Sequence, residues 1–170
     1  FVTLLSLSSG FTSISFSLNK EWEIAIYLIL LATVFDFFDG WFARKLKSGS
    51  NFGAELDSLS DFVSFGVAPS VLIYLWSTNS LGSLGWGATL FFVICSSLRL
   101  ARFTADIYIT NKPIDDNEYF VGIPSPAAAG LVLLPLFIFF EFNIEFIKNE
   151  YLHLFSTIFV GFMMISKIPT

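Results

Sequence analysis

Apolar segments long enough to cross a lipid bilayer recur along the sequence, and they restrict the chain to the folds of membrane proteins. A helix needs roughly 17–25 mostly apolar residues to cross the hydrocarbon layer. Only 14% of the residues are charged, against about a quarter in a soluble domain, which supports the same class. We predict six membrane-spanning helices, at about 2–18, 22–42, 55–76, 84–103, 125–140 and 151–166. The expected fold is therefore an all-α integral membrane protein, a six-helix bundle forming a single domain over residues 1–170.

Other targeting and redox signals are few. No Lys/Arg-rich segment with a small-residue cleavage site precedes the first apolar run, so we do not interpret that run as a signal peptide. The run opens at the first residue, and we expect the native N-terminus to be trimmed. Cys95 is the single cysteine, which excludes an internal disulfide and a CxxC motif.

The positively charged residues predict the orientation in the membrane, because Lys and Arg concentrate in cytoplasmic loops. Of the nine Lys and Arg residues, seven end or follow the second, fourth or sixth span. They are Arg44, Lys45, Lys47, Arg99, Arg102, Lys112 and Lys167, whereas Lys20 and Lys148 lie in the other loops. We therefore expect a multi-pass protein of the cytoplasmic membrane with its N-terminus and even-numbered loops in the cytoplasm.

Four aspartates lie at helical spacing beside a short loop. Asp36 and Asp39 are at i, i+3 near the cytoplasmic end of the second span, and Asp57 and Asp61 are at i, i+4 in the first turns of the third. Each pair shares one helix face, and the short loop makes the two helices antiparallel neighbours. Carboxylates inside membrane helices are costly and usually functional. Clustered carboxylates need cations, and oxygen ligands favour Mg²⁺ or Mn²⁺ over zinc.

The residues around these acids predict phosphate chemistry. A pair of divalent cations usually bridges phosphate oxygens, and the planar fork of Arg44 suits a phosphate clamp. Gly40 and Gly53 leave room for a bulky ligand group to approach the helix backbone. In the alternative interpretation the acids face water at helix ends or pair with nearby Lys and Arg, and they share one face by coincidence.

The complete pattern resembles the signature of the CDP-alcohol phosphotransferases. It reads Asp36-x2-Asp39-Gly40-x2-Ala43-Arg44-x8-Gly53-x3-Asp57-x3-Asp61. The resemblance implies a six-helix core, usually in a homodimer, that binds a CDP-linked lipid on the cytosolic side, transfers its phosphatidyl group to an alcohol and releases CMP. It also implies a role for each residue of the pattern. Metal ligands are Asp36, Asp39, Asp57 and Asp61, with Asp61 also the general base, and the nucleotide pocket is formed by Asp36, Gly40, Ala43, Arg44, Gly53 and Asp57.

Three further segments resemble the phosphatidylserine synthase branch of that family. They are "TLLSLSSGF" at 3–11, "SSLRLARF" at 96–103 and "FVGIPSPAAAG" at 120–130. This resemblance implies CDP-diacylglycerol, or the archaeal ether lipid CDP-archaeol, as donor and L-serine as acceptor. The sequence departs from the branch at Ser6, where relatives usually have Asn. Relatives also commonly continue into further hydrophobic helices, so we expect the C-terminus to be trimmed too.

Three residues are candidates for the acceptor site. Arg99 and Arg102 are at i, i+3 near the cytoplasmic end of the fourth span, where fixed cations suit an amino-acid carboxylate or a phosphate of the donor. Their alternative role is anchoring at the membrane surface. Ser125 lies between two prolines and offers a hydroxyl to an ammonium group, or else caps the fifth helix.

Two alternative functions stay open. Within the family, the acceptor is glycerol 3-phosphate or an inositol phosphate, which should require additional basic residues near the pocket. In another class, the protein is a cation or proton transporter, which should place acids toward the bilayer midplane. We expect membrane lipid but no nucleic acid among the partners, and the net charge is −5.

Overall fold

Helices make up nearly all of the chain that the structure describes. The computed structural model describes residues 1–46, 51–109, 123–142 and 145–166, and these ranges contain no strand. The helices are α1 (Val2–Leu18), α2 (Trp22–Leu46), α3 (Asn51–Asp61), α4 (Ala68–Trp76), α5 (Ser83–Ile109), α6 (Ser125–Phe142) and α7 (Glu150–Ile165). A π-helical segment, Phe62–Val67, joins α3 to α4 without a break, and short 3₁₀ turns occupy Thr78–Leu81 and Glu145–Lys148. The all-α class is thus confirmed.

In the part of the chain that the structure describes, four helical stretches are long and apolar enough to cross a membrane. They are Trp22–Phe42, Phe52–Trp76, Ser83–Ala105 and Ser125–Phe142. The first and last helices, α1 and α7, are apolar and have 17 and 16 residues, at or just below the lower limit of the roughly 17–25 residues that a spanning helix needs. At 1.5 Å per residue they reach about 25 Å, less than the roughly 30 Å of a hydrocarbon layer. The count of six spans therefore stays a prediction. Among the residues that predicted the orientation, Lys47, Lys112 and Lys167 lie outside the described ranges.

Helix α1 packs antiparallel along α2 through hydroxyl groups. Lys20, in the turn between them, has a φ of 63°, which lets the chain reverse within a few residues. Ser6 Oγ donates to the Ala32 carbonyl at 3.0 Å, and Ser9 Oγ donates to the Leu28 carbonyl at 2.7 Å. Small hydroxyl side chains let membrane helices approach closely and bond across the interface. This packing places the start of α1 beside the end of α2 that carries the aspartates.

The π-helical segment begins directly after Asp61. The Ala68 amide donates to the carbonyl of Val63, five residues back, which is the hydrogen-bond pattern of a π-turn. Pro69 has no amide hydrogen, so it cannot donate to the carbonyl of Phe65 as the next residue of an α-helix would. The wider turn rotates the residues on either side of it relative to a regular helix. Such π-turns within α-helices are frequent at functional sites.

Two glycines allow the π-helical segment to fit between its neighbours. A Cβ on Gly10 of α1 would lie 2.7 Å from the Ser64 Cα, and one on Gly66 would lie 2.6 Å from Ser96 Oγ of α5. Both distances are shorter than any ordinary carbon contact, so a side chain would force the helices apart. Ser64 also donates to the Ser6 carbonyl at 3.2 Å. The stretch Phe52–Trp76, which we call the third span, is therefore held at close range by α1 on one side and α5 on the other.

The apolar core and the apolar outer surface are both extensive. Buried side chains from α2, the third span, α5, α6 and α7 form one cluster that includes Ile29, Phe65, Leu72, Phe92, Val132, Leu136 and Met164. Large apolar side chains are also exposed on the outside, Phe37 at 64% and Phe155 at 70%. An extended exposed apolar surface marks contact with lipid or with another protein.

Candidate active site

The structure brings three of the four predicted metal ligands together. Carboxylate oxygens of Asp36, Asp57 and Asp61 all lie within 4.8 Å of one another, and all three side chains are half-buried. Asp36 comes from α2, whereas Asp57 and Asp61 lie one turn apart on α3. We call this set the acidic cluster. Its members are separated by up to 25 positions along the sequence, so only the packing of α2 on the third span can assemble it.

The acidic cluster has the oxygen atoms that a divalent cation needs. Asp61 Oδ1 is buried and has no hydrogen-bond partner among the described residues. A buried carboxylate oxygen without a donor is unfavourable, and three adjacent carboxylates repel one another. A cation that accepts these oxygens as ligands removes both penalties. The donor set consists of carboxylate oxygens, which suits Mg²⁺ or Mn²⁺.

The fourth predicted ligand, Asp39, has a different environment. It lies one turn beyond Asp36 on α2 and is not part of the acidic cluster as defined by the 4.8 Å distance. Its Oδ2 accepts a hydrogen bond from Thr3 Oγ1 at the start of α1. Asp39 is close enough to Asp36 and Asp57 to interact with both electrostatically. It therefore lies at the edge of the cluster with its carboxylate held by a neighbouring helix.

The predicted nucleotide-pocket residues lie along the same ends of α2 and α3. A Cβ on Gly40 would meet no described heavy atom within 4 Å, so none of the described residues fills the position of a side chain there. Ala43 and Arg44 follow on the last turns of α2, and Gly53 lies one turn before Asp57 on α3. All four lie within about two or three helical turns of Asp36 or Asp57 along their own helices, and their individual roles stay predictions.

Two of the three acceptor candidates meet beside the cluster. Arg99 Nη1 donates to Ser125 Oγ at 2.8 Å, and the Arg99 guanidinium also interacts electrostatically with Asp61. Ser125 is buried, and Arg99 Nε is buried with no partner among the described residues. Arg102, one turn further on α5, is exposed. Arg99 and Ser125 can therefore serve a ligand at the acidic cluster, whereas Arg102 lies in a different environment.

Sequence reasoning missed Thr3 and Ser60 as neighbours of the site. Thr3 is bonded to Asp39, and Ser60, adjacent to Asp61, donates to the Thr3 carbonyl at 3.2 Å. The signal was present in α1, whose buried face consists of small and hydroxyl residues three or four positions apart. These are Thr3, Ser6, Ser9, Gly10, Ser13 and Ser17. Such a line predicts a tightly packed helix, but it does not say which helix is contacted.

Comparison with known proteins gives a consistent result. A family model described as CDP-alcohol phosphatidyltransferase matches residues 1–166. A CDP-diacylglycerol–serine O-phosphatidyltransferase of Mycobacterium leprae is 38% identical over 99% of this chain and 56% of its own length. A protein of the same name from Methanocaldococcus jannaschii is 36% identical over 99% of this chain and 70% of its own length. An archaetidylserine synthase of Methanothermobacter thermautotrophicus is 35% identical over 98% of this chain and 66% of its own length. The chain thus spans little more than half of the mycobacterial relative.

Proposed function

The chain belongs to the CDP-alcohol phosphatidyltransferase family, and from this we propose that it transfers a phosphatidyl group to the hydroxyl of L-serine. The donor is CDP-diacylglycerol, or CDP-archaeol in an archaeal lipid background, and the products are CMP and phosphatidylserine or archaetidylserine. The names of the similar proteins support serine as the acceptor. Because membership is in a transferase family, a cation or proton transporter is the weaker alternative.

One observation carries the proposal. The carboxylates of Asp36, Asp57 and Asp61 converge from two helices to within 4.8 Å, at the edge of an otherwise apolar bundle. An apolar bundle has no structural need for three adjacent carboxylates, which destabilise it unless a cation is bound. A site that can bind cations, and in which no described atom lies within 4 Å of the side-chain position of Gly40, suits a ligand with a pyrophosphate group.

Asp36, Asp57 and Asp61 would hold Mg²⁺ or Mn²⁺, with Asp39 completing a two-metal site. When bound, the cations supply positive charge that neutralises the pyrophosphate and the charge developing on CMP. Gly40, Ala43, Arg44 and Gly53 line the proposed nucleotide pocket together with Asp36 and Asp57. Glycine and alanine at these positions keep the backbone accessible, and Arg44 adds a charged donor for a phosphate oxygen.

Asp61 acts as the general base in the proposed reaction. Its carboxylate takes the hydroxyl proton of serine while the serine oxygen forms a bond to the phosphorus of the phosphatidyl group. The bond from that phosphorus to the oxygen of CMP breaks, and CMP leaves with the electron pair. Asp61 is the member of the acidic cluster that interacts with Arg99, which supports a position facing the acceptor.

Arg99 and Ser125 form the proposed serine site. The Arg99 guanidinium binds the serine carboxylate, and the Ser125 hydroxyl, which already accepts from Arg99, orients that guanidinium. Among the described side chains, Arg99 is the cation that interacts with the acidic cluster, and one such cation fits one carboxylate. Glycerol 3-phosphate and inositol phosphates carry a phosphate group with more negative charge than a single carboxylate. They would need additional basic residues there. Arg102 is exposed and is better suited to the membrane surface than to the acceptor.

The membrane arrangement is part of the same proposal. The chain is a single domain of six spans with the acidic cluster near the cytoplasmic surface, and it works as a homodimer. The distribution of Lys and Arg supports this orientation. Four stretches that are long and apolar enough to cross the bilayer support the multi-pass arrangement.

Release of CMP from purified protein tests the proposal. The assay contains CDP-diacylglycerol, Mg²⁺ or Mn²⁺, and one alcohol from a panel of L-serine, glycerol 3-phosphate and inositol phosphate. We expect release with L-serine and none without metal. Release with glycerol 3-phosphate or inositol phosphate, but not with L-serine, would assign the alternative acceptor. Absence of release with every alcohol would overturn the transferase assignment.

A further inference from the structure

Thr3 contacts both halves of the site through two different atoms. Its hydroxyl donates to Asp39 on α2, and its carbonyl accepts from Ser60 on α3, next to Asp61. We propose that Thr3 is a positioning residue that orients the Asp39 carboxylate for cation binding and fixes α3 relative to it. This inference rests on the proposed metal-dependent function and adds a residue outside the aspartate signature.

The first contact determines how Asp39 can bind a cation. Thr3 is buried, with 7% of its surface exposed, so its hydroxyl has few alternatives to the Asp39 carboxylate. Donation to Oδ2 restrains the rotation of the carboxylate, and Oδ1 would then be the oxygen that binds the cation. Hydrogen bonds of this kind to metal-binding carboxylates commonly contribute about 10–100-fold to metal affinity.

Helix α1 is fixed well enough for Thr3 to impose that orientation. Ser6 and Ser9 bond to carbonyls of α2 at 3.0 and 2.7 Å, one and two turns from Thr3. Gly10 brings the same helix against the π-helical segment of the third span. Thr3 therefore lies at the end of an interface that is hydrogen-bonded and closely packed along α1.

The second contact links the orientation of Asp39 to α3. Ser60 is buried, and its hydroxyl donates to the Thr3 carbonyl at 3.2 Å. Because this bond uses the backbone of Thr3, a substitution of the Thr3 side chain leaves it in place. The two contacts can thus be removed separately, by Thr3→Val for the hydroxyl and by Ser60→Ala for the link to α3.

Mn²⁺ titration of the purified protein, followed by electron paramagnetic resonance, tests the role of the hydroxyl. Thr3→Val keeps the shape of the side chain and removes the donor, whereas Thr3→Ser keeps the donor. Thr12→Val is the matched control, because the exposed Thr12 donates to the Ser8 carbonyl within α1 and to no other described residue. We expect Mn²⁺ affinity to fall about 10–100-fold in Thr3→Val and to stay within about threefold in the other two variants.

A double-mutant comparison separates positioning from general destabilisation. In an Asp39→Asn background, Thr3→Val should cause no further loss of Mn²⁺ affinity. A further tenfold loss in that background would overturn the inference, as would unchanged affinity in Thr3→Val alone. Absence of Mn²⁺ binding by the wild-type protein would overturn the proposed metal site as well.

A second variant covers the case in which Thr3→Val does not fold. Thr3→Cys preserves the size of the side chain but offers only a weak donor. We expect its Mn²⁺ affinity to lie below that of Thr3→Ser at an unchanged thermal midpoint in EDTA. Equal Mn²⁺ affinity of Thr3→Cys and Thr3→Ser would overturn the role of the hydroxyl.

Discussion

Arg99 of α5 donates a hydrogen bond to Ser125 at the first turn of α6, with 2.8 Å between Nη1 and Oγ. The bond joins two helices that have 25 residues between these positions along the chain. Arg99 also interacts with Asp61, so the guanidinium lies between the acidic cluster and the start of α6. Its Nε is buried and has no hydrogen-bond partner among the described residues. Pre-oriented, partly buried cations of this kind recognise carboxylates with a fixed geometry.

Replacing Arg99 should lower the catalytic efficiency for serine more than the catalytic efficiency for CDP-diacylglycerol. Arg99→Gln removes the charge that would bind the serine carboxylate, and a lost charged hydrogen bond costs about 1.5–3 kcal/mol. We expect kcat/KM for serine to fall about 10–150-fold, mainly through a higher KM. The measurement is CMP release against serine concentration at saturating CDP-diacylglycerol. Arg102→Gln, one turn away and exposed, is the control, and equal effects of both substitutions would contradict a specific role.

Asp61→Asn should abolish most of the turnover. An amide cannot accept the hydroxyl proton, and loss of a general base lowers rates by about 10²–10⁴-fold. The rate is measured as CMP release at saturating Mg²⁺ and serine, with Mn²⁺ binding measured on the same preparation to account for any loss of metal. Glu23→Gln is the control, because it replaces a carboxylate by an amide at an exposed position in the first turn of α2. Near-normal turnover of Asp61→Asn with metal bound would exclude it as the base.

Removal of one carboxylate from the acidic cluster should change the stability of the protein in opposite directions with and without metal. In EDTA, Asp57→Asn relieves repulsion from Asp36 and Asp61, so we expect an apparent thermal midpoint equal to or above that of the wild type. With Mn²⁺, the wild type should gain stability, by about 2.7 kcal/mol at a hundredfold excess over Kd. The Asp57→Asn variant should gain less stability from Mn²⁺ than the wild type does.

Thermal unfolding in detergent, followed by fluorescence with EDTA or a Mn²⁺ series, measures both effects. The exposed Glu23→Gln should reproduce the wild-type response in both conditions. A lower midpoint of Asp57→Asn in EDTA, together with a full response to Mn²⁺, would show that Asp57 has a structural role and is not a metal ligand.

The sequence predicts which helices bring aspartates together better than it predicts how the four carboxylates are arranged. Spacings of three and four residues place each pair on one helix face, and the structure brings Asp36, Asp57 and Asp61 together. The pattern gives no reason to separate Asp39 from that set. Its hydrogen bond comes from Thr3, 36 positions away, and depends on how α1 packs against α2. Helical periodicity contains no information on such a contact.

The acceptor residues show the same limit. Arg99 and Arg102 share a helix face by spacing, and the sequence treats them alike. The structure separates them, since Arg99 is directed toward Ser125 and Arg102 is exposed. The two side chains lie one turn apart along α5, and only the end of α6 beside Arg99 distinguishes them. Likewise the apolar run of the third span predicts a helix but not its π-turn, which forms where Pro69 lacks a donor and the neighbouring helices hold the turn in place.

The orientation of the acidic cluster can be tested by cysteine labelling in intact cells. The background is Cys95→Ala, because Cys95 is the single cysteine of the chain. Lys45→Cys lies at the exposed cytoplasmic end of α2 in our proposal, so a membrane-impermeant maleimide should not label it until the cells are opened.

A glycine substitution should test the close packing of α1 on the third span. A Cβ on Gly10 would lie 2.7 Å from the Ser64 Cα, and backbone cannot move aside as a flexible side chain can. Gly10→Ala should therefore push α1 away and destabilise the protein by about 1–3 kcal/mol. Because α1 carries Thr3, Mn²⁺ affinity should fall as well. Gly87→Ala on α5 is the matched control, since a Cβ there meets no described atom within 4 Å. The thermal midpoint and a Mn²⁺ titration measure the two effects, and equal behaviour of the two variants would contradict the close contact.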